Sequence, residues 1–422
     1  MSGLDSLLAL VKAEQISVLH LQFVDLMGSV KSVAVPANRL ADVLDQGLGF
    51  DGSAIEGFAR EEEADMRLAP DLSTARLWRA SSGFRELRLI CESTLPDGLP
   101  FAGDPRRILA RSVDRALASG APQLMISAEL EFFLLPQGFV AETPDPGDPA
   151  GYFDEFPSHR HERCLEAMAG GLADAGVGVT QIHHEAAPNQ YEVDLAPLPP
   201  VAAADAIVTA KLIIRREAGL HGFTASFMPK PFNRHPGSGL HLAFKSADPN
   251  RESSMWSSFA AGILAHAPGL CALANPTVNS YKRLGGSEAP GFAVWSDRHP
   301  APYLRRMEGI WEWRAPDASA HPYLALACAI AAGVDGLEQR LDLPPRLDDL
   351  PERWSAEQRF LRHVAELPAS LRDALEALEQ DDCLQAALGD HALRHYLEAK
   401  KLEWKAYAQT VHAWEREMYL TL

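Results

Sequence analysis

The chain has 422 residues, which is too many for a single hydrophobic core and predicts about two domains. Hydrophobic residues make up 47% and charged residues 23%, an ordinary globular balance, and the formal net charge is −18. A chain this acidic lacks the basic surface that non-specific binding to nucleic acid requires, and it suits a soluble enzyme whose carboxylates attract metal ions.

The start of the chain, "MSGLDSLLALVKAEQ", carries an acidic residue where a signal peptide is basic. The longest apolar run, "YLALACAIAAGV", is too short to cross a bilayer. The five cysteines form no CxxC pair, which indicates reduced thiols. The sequence therefore predicts a cytoplasmic protein with no membrane or nucleic-acid partner.

The predicted elements begin with a small β-rich region. Short alternating runs occupy the first hundred residues, with a turn at Met27–Gly28–Ser29. A Pro/Gly-rich joint, "TLPDGLPFAGDP", marks a domain boundary, so we expect an N-terminal domain at 1–100 and a second domain at 101–422. The second domain opens with an amphipathic helix that Gly120 ends.

The C-terminal part reads as helical. In "ASLRDALEALEQ" the leucines recur at helical spacing and Ser370 is placed to cap the helix. An aromatic stripe follows, which we interpret as core packing: Tyr396, Trp404, Tyr407 and Trp414. Strands and helices that are not regularly interleaved predict an α+β fold rather than a doubly wound sheet.

Between these regions, "LMISAELEFFLL" places two carboxylates inside an apolar run. Alternate residues of a strand face the same way, so Glu129 and Glu131 share a face at roughly 6–7 Å. Carboxylates are rarely buried without compensation of their charge. Taken alone, the pattern favours a solvated face over a cation between the two side chains.

Four further strand-like stretches carry polar residues on one face and bulky apolar residues on the other. They are "TQIHHE", "NQYEVDL", "GLHLAFK" and "IWEWRAP", beginning at residues 180, 189, 239 and 310. An antiparallel sheet with a packed back would bring these faces together, and the carboxylates would then repel one another. Oxygen ligands with one imidazole suit Mg²⁺ or Mn²⁺ better than structural zinc, so we predict a divalent metal cluster.

The motifs, taken in order, resemble the glutamine synthetase family over nearly the whole chain. They include "GFDGSAIEGF", "SAELEFFL", "HHEAAPNQYEVD", "PGSGLH", "SYKRL", "EAPGFAVWSDR" and "EWRAPDASAHPYLALA". The resemblance implies a small β-grasp-like N-terminal domain that contributes the amine site. It also implies a larger catalytic domain whose curved antiparallel sheet is flanked by helices.

The resemblance also implies roles for individual positions. Glu131, Glu185 and Glu192 would hold a metal ion near the substrate amino acid, and Glu129, His241 and Glu312 one at the nucleotide phosphates. The implied catalytic residues are Asp51, Glu288, Arg298 and Arg314, and the implied substrate-binding residues are Ser53, Tyr152, Gly237, Arg283 and Arg305.

The implied activity is ATP-dependent ligation of ammonia or a small primary amine to the γ-carboxylate of glutamate, through γ-glutamyl phosphate. ATP would be the co-substrate, with Mg²⁺ or Mn²⁺ at roughly two or three ions per site. The implied assembly is a dodecamer of two hexameric rings, in which Asp51 reaches a neighbouring subunit's site.

Several alternatives stay open. The amine could be methylamine or a polyamine, because a methyl group in an apolar pocket changes affinity by only ~1–3 kcal/mol. The chain could also be a catalytically silent structural or regulatory homologue, or a phosphotransferase acting on a guanidino group. The segment "DLPPRLDDLPERW" has no tyrosine, which argues against control by tyrosine adenylylation.

Overall fold

The computed structural model describes residues 3–55, 65–79, 85–139, 148–156, 158–247, 253–299, 301–349, 351–362 and 364–422. The N-terminal part holds two helices and five strands. They are α1 (Gly3–Ala13), β1 (Val18–Val24), β2 (Val30–Pro36), α2 (Leu40–Gln46), β3 (Leu48–Asp51), β4 (Asp65–Arg79) and β5 (Arg85–Thr94). The five strands form one sheet in the order β2-β1-β5-β4-β3, with β1 parallel to β5 and the other pairs antiparallel.

The rest of the chain builds an eight-stranded sheet with helices packed on it. Its first half comprises α3 (Pro105–Ala118), β6 (Leu124–Pro136), α4 (His159–Asp174), β7 (Val179–His184), β8 (Gln190–Leu198), α5 (Pro200–Leu220), β9 (Phe223–Ser226) and β10 (Leu240–Ser246). Its second half comprises α6 (Ser253–Ala265), α7 (Ala267–Ala274), β11 (Trp295–Ser296), β12 (Leu304–Met307), β13 (Ile310–Trp313), α8 (Pro322–Glu338), α9 (Ala356–Leu361), α10 (Leu371–Leu378), α11 (Asp382–Leu388), α12 (Asp390–Gln409) and α13 (Ala413–Tyr419).

The strand order of the larger sheet places β6 at its centre. The order is β11-β12-β13-β10-β6-β8-β7, and β9 pairs with the far end of β6. All pairs are antiparallel except β11 with β12. The apolar residues of one face, such as Leu130, Phe132, Val193 and Leu242, are fully buried. The helices cover this face, so the opposite, polar face is free to form a site.

A buried ion network joins the N-terminal sheet to helices of the larger part of the chain. Arg106, in the first turn of α3, donates to Asp205 on α5 at 3.0 Å and to Asp71 on β4 at 2.8 Å. Asp205 also accepts a hydrogen bond from the Tyr323 hydroxyl at 2.6 Å. Because each charge has a partner, the network holds the N-terminal sheet against α3 and α5 without an unpaired buried charge.

The α+β prediction is confirmed, as is the N-cap: Ser370 accepts from the backbone N–H of Asp373. The aromatic stripe prediction is partly wrong. Tyr396 is buried at 1% exposure, whereas Trp414 is 57% exposed on the last helix. The helical spacing that predicts one apolar face cannot say whether a second element covers it. The domain boundary at residue 100 stays a prediction.

The cysteines and the apolar helices can be compared with the predictions of reduced thiols and of no membrane span. All five cysteines are free thiols, as expected for a chain without disulfides. No single helix of the described residues has the length and hydropathy of a membrane span; only the pair Met255–Ala265 and Ala267–Ala274, bent by 74°, reaches them jointly.

Candidate active site

Strand register brings the predicted metal ligands to one place. On β6, Glu129 lies opposite His241 of β10, and Glu131 lies opposite Glu192 of β8. Glu312 of β13 follows on the other side of β10, and Glu185 comes directly after β7. All six side chains therefore project from the polar face of four adjacent strands and the hairpin beyond them.

These six residues line one cavity of about 580 Å³. The cavity also contains other residues named from the sequence: Tyr152, Gly237, Arg283, Glu288, Arg305 and Arg314. The structure thus gathers twelve of the fifteen predicted site residues at a single cavity (six ligands and six others). The remaining three, Asp51, Ser53 and Arg298, do not line it.

His241 sits at the centre of the ligand cluster. Its Nδ1 lies 2.9 Å from a Glu129 oxygen and 3.6 Å from Glu312, while its Nε2 lies 3.6 Å from Glu131. Glu129, His241 and Glu312 offer ligand atoms within 4.8 Å of one another, and so do Glu131, Glu192 and His241. These sets share His241, so two cations could be held side by side.

A third set lies at the β7–β8 hairpin, where His183 joins Glu185 and Glu192. His183 Nε2 is 3.2 Å from Glu192, and its Nδ1 is 3.7 Å from Glu185. His183 alternates with Glu185 in "TQIHHE", as Asp194 does with Glu192 in "NQYEVDL", yet neither is among the site residues predicted from the sequence. Both line the cavity.

Burial and mutual repulsion perturb these carboxylates. Burial first, and then Glu131, raise the pKa of Glu185 to about 7. The same two causes raise the pKa of Glu192 well above its usual range, and burial raises that of Glu129. A cation among them would compensate the negative charge that burial penalises.

The donor set fits a hard divalent cation. Burial, followed by Arg314, lowers the pKa of His241 to about 3, so its imidazole is neutral and keeps a lone pair for a metal. Among the described residues, His241 Nε2, Glu312 Oε2 and Asp194 Oδ1 are buried without a hydrogen-bond partner. Carboxylate oxygens with one imidazole match Mg²⁺ or Mn²⁺.

Arginines border the ligand cluster. Arg283 is buried and donates to the carbonyls of Ala315 at 2.9 Å and Arg314 at 3.3 Å. Arg314 donates to Glu312, and Arg305 lies 3.9 Å from the same carboxylate. The site therefore pairs an anionic cluster for cations with a cationic wall for anionic substrates.

Glycines allow this close approach. A Cβ at Gly239 would lie 2.7 Å from Arg283, 2.8 Å from His241 and 2.9 Å from Glu131. At Gly237 a Cβ would lie 2.2 Å from the carbonyl of Pro229. The motif "PGSGLH" therefore needs glycine at both positions, because any side chain would push the ligand strand away.

Two predicted residues sit at the rim in unusual surroundings. Glu288 has a positive φ of 65°, a strained conformation for a non-glycine residue, in an exposed loop over the cavity. Tyr152 is 58% exposed and stacks on Phe153 at 4.2 Å, beside His183.

The three residues outside the cavity are all exposed. Asp51 ends β3 in the N-terminal sheet, and its carboxylate accepts from both the backbone N–H and the hydroxyl of Ser53, at 2.9 and 2.6 Å. These hydrogen bonds lower the pKa of Asp51. Arg298 lies 4.0 Å from Asp297. One chain by itself does not bring these residues to the cluster.

The back of the β7–β8 hairpin holds a buried network that the sequence did not reveal. Asp148 is fully buried and accepts from His184 Nε2 at 3.1 Å, from the Tyr191 hydroxyl at 2.9 Å and from the Asn189 N–H at 3.1 Å. His184 and Tyr191 directly adjoin Glu185 and Glu192, so this network fixes the hairpin that presents both ligands. No local motif around Asp148 signals this contact.

Comparison with known proteins places the chain among well-described relatives. The family description "Glutamine synthetase, beta-Grasp domain" matches residues 15–96, and "Glutamine synthetase, catalytic domain" matches residues 102–419. Curated glutamine synthetases of Thermus thermophilus and Staphylococcus aureus are 41% and 38% identical; the alignments cover 98% and 99% of this chain and 98% of each relative.

Solved structures agree in fold. A structure described as a GmaS–ADP complex has a TM-score of 0.87 at 29% identity, covering 98% of this chain and 99% of its own. The cryo-EM structure of Plasmodium falciparum glutamine synthetase has a TM-score of 0.85 over 97% of this chain and 96% of its own. At 23% identity, the second likeness concerns the fold alone.

Proposed function

Because this chain belongs to the glutamine synthetase family and is a carbon–nitrogen ligase, we propose that it joins ammonia to the γ-carboxylate of glutamate at the cavity described above. The observation that carries the proposal is the convergence of six metal-type ligands and three arginines on one cavity. A silent structural homologue would have no need of this costly, mutually repelling cluster.

The cations would be held by two sets of ligands. The resemblance assigns Glu131, Glu185 and Glu192 to one set and Glu129, His241 and Glu312 to the other. The ligand atoms of the second set lie within 4.8 Å of one another, and in the first set Glu192 lies this close to Glu131 in one group of ligands and to Glu185 in another. When bound, Mg²⁺ or Mn²⁺ would supply neutralisation of phosphate charge during phosphoryl transfer.

The protein's own residues would orient glutamate. Arg283 is buried and already fixed by two backbone carbonyls, so its remaining N–H groups can bind the α-carboxylate without loss of side-chain freedom. Arg314, held by Glu312, would lie at the γ-carboxylate. An oxygen of this carboxylate attacks the γ-phosphorus of ATP, ADP leaves, and γ-glutamyl phosphate forms.

ATP would extend from the cluster into a neighbouring cavity of about 1050 Å³ that shares Met307 with the first. Its walls include Lys245, Ser246, Trp256 and Arg306. An aromatic and cationic lining suits a base and its phosphates.

The second step needs a dry site and a neutral amine. Glu288, on its strained loop at the rim, would close over γ-glutamyl phosphate and exclude water. The amine nitrogen then attacks the acyl carbon, and phosphate leaves. A carboxylate must take a proton from ammonium, and we assign this to Asp51 of a neighbouring subunit with Ser53 beside it.

This assignment requires an oligomer. In one chain Asp51, Ser53 and Arg298 stand away from the cavity, which supports active sites shared between subunits, as in the dodecamer of two hexameric rings proposed from the resemblance. We also propose a cytoplasmic location.

The relatives point to two candidate amines, ammonia and methylamine. Curated relatives at 38–41% identity are named glutamine synthetase, which favours ammonia. The GmaS structure, at 29% identity, favours a second candidate, methylamine.

An amine panel tests both candidates. With glutamate and Mg-ATP, kcat/KM is measured for ammonia, methylamine, ethylamine and putrescine, with ADP and amide product quantified. We expect ammonia to be preferred at least tenfold. Preference for methylamine would replace the ammonia assignment, and ADP formation without amide, or no activity with any amine, would refute the ligase mechanism.

A matched pair of variants tests the cluster. Glu131→Ala should abolish amide formation, while Glu166→Ala, an exposed residue on α4, should leave it unchanged. Normal activity in Glu131→Ala would rule out its metal assignment.

A further inference from the structure

A second cavity, remote from the metal cluster in its lining residues, contains two cationic side chains. It measures about 390 Å³ and lies between the β1–β2 turn, α5, β9 and the segment before α8. We name it the α5 cavity, with walls formed by Gly28, Lys211, Arg215, Ser226, Phe227 and Ser319 among others. It shares no lining residue with the candidate active site.

Lys211 and Arg215 stand one helical turn apart on α5, so both project from the same face. Lys211 Nζ lies 5.8 Å and the Arg215 guanidinium 4.9 Å from the centre of the Phe227 ring. Both charges therefore border the same aromatic wall, and a small ligand could contact both at once.

Neither cation has a carboxylate partner among the described residues. The described lining of the α5 cavity contains no acidic side chain. Lys211 makes only a long contact of 3.4 Å, to the Ala320 carbonyl. Asp317, the nearest acidic influence on Lys211, accepts instead from Ser319 and Asn275. Two cations that share a cavity whose described lining has no carboxylate are unusual in a chain with a net charge of −18.

We propose that the α5 cavity binds a small phosphate-bearing anion through Lys211 and Arg215. A phosphate dianion matches two positive charges, and its oxygens can also accept from the Ser226 hydroxyl, whose own oxygen accepts from the Met228 N–H. Burial first, and then the neighbouring charge of Arg215, lower the pKa of Lys211 to about 7, and a bound anion would favour its protonated form.

The α5 cavity lies between the N-terminal sheet and the larger part of the chain. Gly28 lies in the turn between β1 and β2 of the N-terminal sheet, whereas Lys211 and Phe227 belong to the larger part of the chain. An anion bound between them would stabilise the folded protein by mass action. The inference does not depend on which amine the enzyme uses.

Calorimetric titration of inorganic phosphate into the full-length protein tests the proposal. Phosphate is also a reaction product, so active-site binding is common to all samples and serves as the internal reference. Wild type and the exposed-lysine control Lys405→Met should bind one more phosphate per chain than Lys211→Met. Arg215→Gln should weaken that extra site about ten- to hundredfold, as expected when a charge-assisted hydrogen bond is lost.

Equal phosphate binding by Lys211→Met and wild type would overturn the proposal. Catalytic turnover of each variant, measured in parallel, distinguishes a lost anion site from a misfolded protein and from failure of the ligase assignment. If Lys211→Met does not fold, Arg215→Gln, at an exposed position, still decides the question.

Acetylation footprinting identifies what covers Lys211. With an amine-reactive acetylating reagent and peptide mass spectrometry, phosphate should protect Lys211 at least fivefold while the exposed Lys405 stays reactive. If Lys211 is unreactive without phosphate in the assembled protein and becomes reactive when subunits dissociate, a second copy fills the cavity and the anion proposal fails.

Discussion

Replacing Glu192 by glutamine separates a metal-binding role from a structural one. The substitution keeps the size of the side chain and removes its negative charge. Glu192 is buried at 7% exposure, and its ligand oxygen lies within 4.8 Å of the ligand atoms of Glu131 and His241. Its charge should therefore matter most when a cation is bound.

The distance between these ligand atoms sets the expected loss of metal affinity. Two unit charges at that distance interact by about 3.5 kcal/mol at an effective dielectric constant of about 20. Without metal, Glu192 avoids the repulsion by keeping a proton, since burial and Glu131 raise its pKa. The metal-free variant should then be within about 1 kcal/mol of wild type. With metal it loses about 2–3 kcal/mol of attraction, which is roughly a 30- to 150-fold weaker affinity.

The assay is chemical unfolding at increasing Mn²⁺. At a metal concentration of about 100 times its Kd, wild type should gain about 2.7 kcal/mol, and a variant with hundredfold weaker binding only about 0.4 kcal/mol. Glu166→Gln, exposed on α4, is the matched control and should respond as wild type does.

Two results would refute the reasoning. Unchanged Mn²⁺ affinity in Glu192→Gln would remove Glu192 from the ligand set. A loss of more than about 2 kcal/mol in the metal-free protein would mean that the charge stabilises the fold itself.

Three further predictions concern residues around the site and in the helical part. In steady-state kinetics, Arg283→Lys should lower kcat/KM for glutamate about ten- to hundredfold, because lysine cannot reproduce the planar guanidinium contacts. The KM for ATP should change little. Asp148→Asn should cost about 2–4 kcal/mol in denaturant unfolding and weaken Mn²⁺ binding, since it removes the charged acceptor behind the β7–β8 hairpin. His266→Gln should destabilise more at pH 6 than at pH 9: Asp381 first, then Asp335, raise the pKa of His266, so these ion pairs stabilise the fold below about pH 6.5 and are lost as pH rises through the raised value.

Each of these three variants has an exposed control substitution and a result that would contradict the prediction. The exposed substitutions Arg353→Lys, Asp45→Asn and His159→Gln should behave as wild type in the same assays. A rise only in KM for ATP would contradict the role of Arg283. Wild-type Mn²⁺ affinity in Asp148→Asn would confine that residue to stability, and a pH-independent cost of His266→Gln would contradict its charged pairing.

Local pattern was enough for several conclusions. The alternation in "LMISAELEFFLL" fixed the shared face of Glu129 and Glu131, and the order of motifs indicated the family. Helix ends followed from single residues, as Ser370 and Gly120 demonstrate. These succeed because side-chain direction in a strand or helix depends only on neighbouring residues.

Proximity was decided by the tertiary structure. Pairing of β6 with β8 and β10 set which carboxylate meets which ligand and drew in Asp194, and pairing of β7 with β8 drew in His183. Asp148 behind the hairpin joins segments far apart in the chain, and so do Gly28 and Ser319, which complete the α5 cavity around Lys211 and Arg215. Trp414 lost its predicted burial because no described element covers it. Periodicity states which way a side chain points, but only hydrogen-bond register and packing between distant segments state what it meets.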